Sequence, residues 1–131
     1  MRRIVVLALS IVASLIPAPA LAAAEPVATI QILSTTLVAK GAAVDISYAV
    51  DCPAGYAGST TLSVTQPQAH GTAVDELTCT GTGLLYLQRV TADVTGGAFE
   101  RGRATLAMRA TACDSAGCFS TPFTETVRID K

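Results

Sequence analysis

The chain has 131 residues, with nine basic against ten acidic side chains, one histidine, four cysteines and no tryptophan. That length supports one domain once an export segment is set aside. The thin, evenly mixed charge argues against nucleic acid and against anionic membranes as partners.

Met1-Arg2-Arg3 is a short basic head, residues 4–16 are apolar apart from Ser10 and Ser14, and Pro17 and Pro19 precede Ala20-Leu21-Ala22. This is the pattern of a helical signal peptide over residues 1–22 with an A-x-A cleavage site, Ala24 being the second choice for the cut. The rival reading is a retained anchor, against which the two prolines and the small-residue tail count. Cleavage leaves a domain over residues 23–131, about 109 residues with a formal charge of about −3 once Arg2 and Arg3 are gone. No cysteine follows the cut to carry a lipid, and Ile129-Asp130-Lys131 is neither apolar nor a sorting signal. The expectation is a secreted, extracellular protein with no membrane attachment after cleavage.

Alternation with period two recurs along the mature chain, the mark of strands with one wet face. Val44, Ile46, Tyr48 and Val50 share a face against Asp45, Ser47 and Ala49, and Cys52 continues that face. Leu62 and Val64 alternate with Thr61, Ser63 and Thr65. Leu84, Tyr86, Gln88, Val90, Ala92 and Val94 alternate with Arg89, Thr91 and Asp93, Gln88 being the one polar misfit. Ala104, Leu106, Met108, Ala110 and Ala112 oppose Arg103, Thr105, Arg109 and Thr111, and Phe123, Val127 and Ile129 form the last apolar row. Strands are expected near 27–34, 36–40, 43–52, 59–66, 73–79, 84–94, 103–113 and 119–130. Turn signals at Lys40-Gly41, Pro53-Ala54-Gly55, Gly71, Gly81-Thr82-Gly83, Gly96-Gly97 and residues 114–117 separate them at roughly ten-residue intervals.

At the C-terminal end, Ala112-Cys113-Asp114-Ser115-Ala116-Gly117-Cys118 and the strand ending Val127-Arg128-Ile129-Asp130 resemble the last hairpin of bacterial immunoglobulin-like domains. Residues 97–105, with Phe99 and Gly102, are similar to the loop that leads into the sixth strand of such domains. The resemblance covers roughly the last third of the chain and implies an all-β, immunoglobulin-like antiparallel β-sandwich of seven to eight strands with two disulfides. Within the turn, Asp114 can accept from backbone amides two residues on and Gly117 can take positive φ, which suits a type I turn with a bulge. The four cysteines and the C-x4-C pair are also similar to the neocarzinostatin-type chromoprotein apoproteins, with a wider first pair.

Four cysteines allow three pairings. A tight turn would set Cys113 opposite Cys118, leaving Cys52 for Cys79. The alternative, Cys52 with Cys113 and Cys79 with Cys118, has the spacing that the immunoglobulin resemblance implies for an inter-sheet bridge. In an oxidising compartment without C-x-x-C spacing these cysteines are structural and hold no metal.

No catalytic, cofactor-binding or metal residue is assigned, no cofactor is expected, and the chain is not expected to be an enzyme. Any Ser-His-Asp mechanism would have to run through His70 with Asp75 or Asp51, and no G-x-S-x-G elbow marks a nucleophile. His70, Asp75 and Glu76 could approach one cation, and solvated residues explain them more cheaply. Arg89, Arg101, Arg103 and Arg109 read as scattered surface charge, and the threonines at 60, 61, 78, 80 and 82 as β-formers with a hydroxyl face to offer sugars. The expected role is non-catalytic extracellular recognition or adhesion by a monomer, with an unknown protein or glycan as partner. Two alternatives are an enzyme inhibitor presenting residues 114–117, 53–58 or 67–72, and a small-molecule carrier of the chromoprotein type.

Overall fold

In a computed structural model, residues 26–131 are described, and the segment expected to be the signal peptide lies outside them. Among the described residues the regular structure is strand, apart from one 3-10 turn at Ala39–Gly41. The strands are β1 (Thr29–Val38), β2 (Ala43–Asp51), β3 (Ala57–Thr65), β4 (His70–Thr78), β5 (Leu84–Thr91), β6 (Gly102–Cys113) and β7 (Cys118–Ile129). They form two antiparallel sheets, ordered β1-β2-β5 and β4-β3-β6-β7.

Period-two alternation is what lets these sheets pack face to face, because every second side chain is apolar and points the same way. Val44, Ile46, Tyr48 and Val50 of β2 meet Leu62, Val64, Leu106, Met108 and Ala110 of the opposite sheet in one buried cluster. Each fully buried large aliphatic side chain there contributes about 1.5–3 kcal/mol of transfer free energy. Gly58 has no room for a side chain, since a Cβ would run into the carbonyl of Thr111 on β6.

Three expectations are corrected. The two strands expected at 27–34 and 36–40 are one, β1, interrupted only by a register shift between Ile32 and Ser34 that leaves Leu33 bulged outward. The bulge re-aims β1, so that Thr36 forms a single parallel bridge with Asp130 just past the end of β7, with Leu37 N–H donating to Asp130 O at 2.8 Å and Asp130 N–H to Thr35 O at 3.0 Å. β5 ends at Thr91, and Val94 is 98 % exposed because Asp93 Oδ1 accepts from Thr95 N–H and Oγ1 and turns the chain away. Gly117 is not among the residues with positive φ, whereas Asp114 Oδ1 does accept from Ala116 N–H at 2.8 Å and Gly117 N–H at 3.0 Å. The aspartate side chain closes that turn and leaves glycine's conformational freedom unused.

Positive φ is used instead at the β1–β2 connection, where Gly41 has φ +91° and its carbonyl accepts from Phe99 N–H at 2.8 Å. A Cβ at Gly41 would collide with the Phe99 main chain. This contact docks the loop before β6 and buries Phe99 to 2 % exposure.

Candidate functional site

The structure joins Cys52 to Cys79 and Cys113 to Cys118. The first bridge links the ends of β2 and β4, which belong to different sheets, and both its cysteines are buried. The second spans a directly opposed pair on β6 and β7, with Cα atoms 3.9 Å apart and both residues exposed. Cys79 N–H donates to Tyr56 O at 2.9 Å, and Tyr56 stacks edge-on against Phe119 at 5.2 Å, so both bridges reinforce the same end of the sandwich. Burial, with the nearby Asp114 carboxylate, pushes the Tyr56 phenol above its ordinary range.

The opposite end is held by glutamines. Gln66 Nε2 donates to Glu100 O and Arg103 O, while its Oε1 accepts from Glu100 N–H and Gln68 Nε2. Gln88, the misfit of β5, is buried beside Tyr48, whose hydroxyl also meets Thr60 Oγ1 at 3.0 Å. Its amide satisfies every neighbour when Nε2 donates to Tyr48 Oη and Oε1 accepts from Val74 N–H and Asp75 N–H, which ties β5 to β4 across the core. Tyr86 stacks on Tyr48 at 5.4 Å and its hydroxyl reaches the Thr78 main chain, so β5 side chains cover part of the β4 edge.

His70 is the first residue of β4, opposite Thr65, and its ring nitrogens meet Thr65 Oγ1 at 3.1 Å and Thr72 Oγ1 at 3.4 Å. Asp75 and Glu76 follow five and six residues along the same strand, about 17 Å or more away at strand rise, so the trio does not converge. No group of three metal-ligating side chains forms among the described residues. Thr60 is buried against Tyr48, and Thr80 and Thr82 bond each other in a turn, so the threonines singled out in the sequence do not make one face.

Two outer faces of opposite chemistry emerge instead. On the three-stranded sheet, Leu85 (75 % exposed) lies opposite Ala49 and Leu87 (70 % exposed) opposite Ser47, with the bulged Leu33 one strand further on. Beside them, Arg89 grips Asp45 through two hydrogen bonds of 2.7 and 2.8 Å, and this holds the Asp45 carboxyl below its usual range. On the four-stranded sheet, cross-strand rows read Ser59–Thr111–Ser120, Thr61–Arg109–Pro122, Ser63–Ala107–Thr124 and Thr65–Thr105–Thr126. The last row leads on to a directly opposed pair of cations, Arg103 and Arg128.

Arg109 therefore sits among hydroxyls, with Nη1 donating to Ser120 Oγ at 3.0 Å and no carboxylate partner among the described residues. Around it Thr61, Ser63, Pro122, Phe123 and Thr124 line an open depression of about 300 Å3. A second depression, of about 420 Å3, lies beside Pro26, Val27 and Phe119. Arg89 and Arg109 occupy different sheets, as scattered surface charge requires. Register alone on β3 marks Ser59, Thr61, Ser63 and Thr65 as outward-facing, but only the pairing with β6 and β7 brings arginine and proline beside them. No protein-family model matches the chain, and neither does any curated protein or any solved structure.

Proposed function

We propose that this chain is a secreted, non-catalytic recognition module of immunoglobulin-like architecture that binds an extracellular protein through the outer face of its three-stranded sheet. The observation that carries the reading is the cluster of Leu33, Leu85 and Leu87 on that face. Each of these leucines, half to three-quarters exposed, forgoes about 1–2 kcal/mol of burial in the free domain, which a partner with a complementary apolar surface recovers. Leu85 and Leu87 stand on an edge strand, so a partner strand can also take up free main-chain groups of β5.

The strand order supports the architectural part. Immunoglobulin-like sandwiches carry first, second and fifth strands in one sheet and third, sixth and seventh in the other, as β1-β2-β5 and β3-β6-β7 are arranged here. The fourth strand lies beside β3, giving three strands against four. The inter-sheet bridge also differs, joining the ends of β2 and β4.

The inhibitor and carrier readings find less support. Residues 114–117 form a closed turn, with Asp114 N–H donating to Gly117 O, and Gln66 and Ala69 bond each other across the 66–69 turn. Neither offers an extended segment to a protease cleft. The two depressions are open to solvent rather than enclosed.

The test is export of the full chain, N-terminal sequencing of the released protein, and capture of extracellular proteins by the wild type and by a Leu85→Ser/Leu87→Ser variant. The reading expects a new N-terminus near Ala23 and a specific protein retained by the wild type and lost by the variant at unchanged melting temperature. Retention of the same proteins by both forms, or of none by either, overturns it.

A further inference from the structure

The hydroxyl-bearing face of the four-stranded sheet has no part in the leucine surface. We infer that it is a second binding site, for an acidic polysaccharide whose sugars carry carboxylates, with Arg109 as the group that grips the carboxylate.

Three independent features converge on that ligand. The first is an asymmetry between faces. Both outer faces are wetted strand surface, so β-propensity acts on them alike, yet one carries Leu33, Leu85 and Leu87, while on the other serine or threonine fills the outward β3 positions from Ser59 to Thr65 and alternates on β6 and β7 with Arg103, Ala107, Arg109, Pro122 and Arg128, the exposed Val74 of β4 being its one large aliphatic. An array of short hydroxyls, each both donor and acceptor, matches the hydroxyls of a sugar chain.

The second is charge. The molecule as a whole is slightly acidic, but this face presents Arg103, Arg109 and Arg128, with Glu76 on the far strand as its outward carboxylate and Asp130 3.6 Å from Arg128. Arg109 and Arg103 are six residues apart on β6, about 20 Å along the strand. Cations spaced so widely on one face suit a polymer with repeated anionic groups better than one small anion.

The third is shape. The depression of about 300 Å3 sets Arg109 beside the Pro122 ring, with Thr61, Ser63 and Thr124 around it, while the Phe123 side chain between Pro122 and Thr124 alternates to the inner face and packs on the core. The Pro122 ring can take the C–H face of a pyranose while hydroxyls and guanidinium take its polar rim. Arg109 has one hydrogen bond, to a neutral serine, so its remaining donors are free to form a two-pronged contact with a carboxylate.

The test titrates the full secreted chain with oligogalacturonate, with the same oligomer methyl-esterified, with dextran sulfate and with poly-glutamate. Oligogalacturonate is expected to bind, and esterification to abolish binding. Poly-glutamate, which has carboxylates and no sugar, and dextran sulfate, which has sugar and no carboxylate, are each expected to bind at least tenfold more weakly. Arg109→Gln should weaken oligogalacturonate at least tenfold, and Arg109→Lys should fall between, because a point charge lacks the planar fork. Arg109 is exposed, so its variants should keep the wild-type melting temperature. Absence of oligogalacturonate binding, equal binding of the ester, equal binding of either control polymer, or an unchanged Arg109→Gln affinity each overturns the inference. The Leu85→Ser/Leu87→Ser variant should bind the oligomer as the wild type does, so failure here is separable from failure of the leucine surface.

Discussion

Gln66 bonds both main-chain polar groups of Glu100, its Nε2 donating to the carbonyl and its Oε1 accepting from the N–H, each at 2.9 Å. A buried side-chain amide thus takes the place of a neighbouring strand and fastens the β5–β6 connection where no disulfide reaches.

Replacing Gln66 by Ala removes its bonds to the Glu100 N–H and carbonyl and to the Arg103 carbonyl, each part-buried hydrogen bond being worth about 0.5–1.5 kcal/mol. Urea unfolding should show a loss of about 2–4 kcal/mol, with hydrogen exchange accelerated first at residues 96–103. A loss below about 0.5 kcal/mol would show that solvent replaces the amide freely.

The polar group inside the core makes a second case. Gln88→Leu removes the partner of Tyr48 Oη and of two β4 amides, and should cost about 1–3 kcal/mol although leucine is the more apolar residue. Tyr48→Phe in the same background should cost less than it does alone, because the hydroxyl has already lost one of its two partners and keeps only Thr60 Oγ1. A double-mutant cycle should return a coupling of about 0.5–2 kcal/mol.

The two bridges should differ in both energy and chemistry. Loop-closure entropy assigns about 3.5 kcal/mol to Cys52–Cys79, whose sequence separation is 27, and about 2 kcal/mol to Cys113–Cys118, whose separation is 5. Because Cys113 and Cys118 are exposed and the other pair is buried, limited thiol reductant should open the hairpin bridge first. Alkylation followed by peptide mapping checks the order, and labelling of Cys52 or Cys79 ahead of Cys118 would contradict it.

Two glycines should respond oppositely to alanine. At Gly58 the new Cβ would meet the Thr111 carbonyl and stand 2.7 Å from Ala112 Cα, so β3 and β6 must separate at a cost of about 1–3 kcal/mol. At Gly117 it meets nothing within 4 Å and the backbone needs no positive φ, so Gly117→Ala should be neutral or stabilise by up to about 1 kcal/mol. Melting temperatures of the two variants decide both.

Stability should fall at both ends of the pH range. Arg89 depresses Asp45, and the main chain and hydroxyl of Thr95 depress Asp93, so each folded carboxyl titrates below its unfolded value. Their contribution is complete above the ordinary value of 3.8 and is lost as pH falls through the folded pKa. Burial raises the Tyr48 phenol, so its contribution is complete below 10.0 and is lost as pH climbs through the raised value. The melting temperature should be level from about pH 5 to 9 and fall outside that range, with Asp45→Asn softening the acid limb and Tyr48→Phe the alkaline limb.

The all-β class was legible from alternation alone, because a period of two assigns each side chain to a face whatever its neighbours are. Val44, Ile46, Tyr48 and Val50 therefore read as core, and they are buried. Gln88 read as an error in the pattern because its partners, Tyr48 and the β4 amides, are 40 and 13–14 residues away. The outward register of β3 was equally visible, but its meaning depends on which strands flank it.

The sequence by itself determined the strand class, the inward and outward sets of residues, and a tight turn between Cys113 and Cys118, since each of these follows from contacts local to the chain. Only the tertiary structure decided that β4 lies beside β3, that β1 is one strand with a single bridge to the end of the chain, and that Arg109 stands among hydroxyls while the leucines lie on the other side. Those outcomes depend on pairing between segments tens of residues apart, where loop closure sets the cost and mutual burial the gain, and no short window of sequence contains both partners.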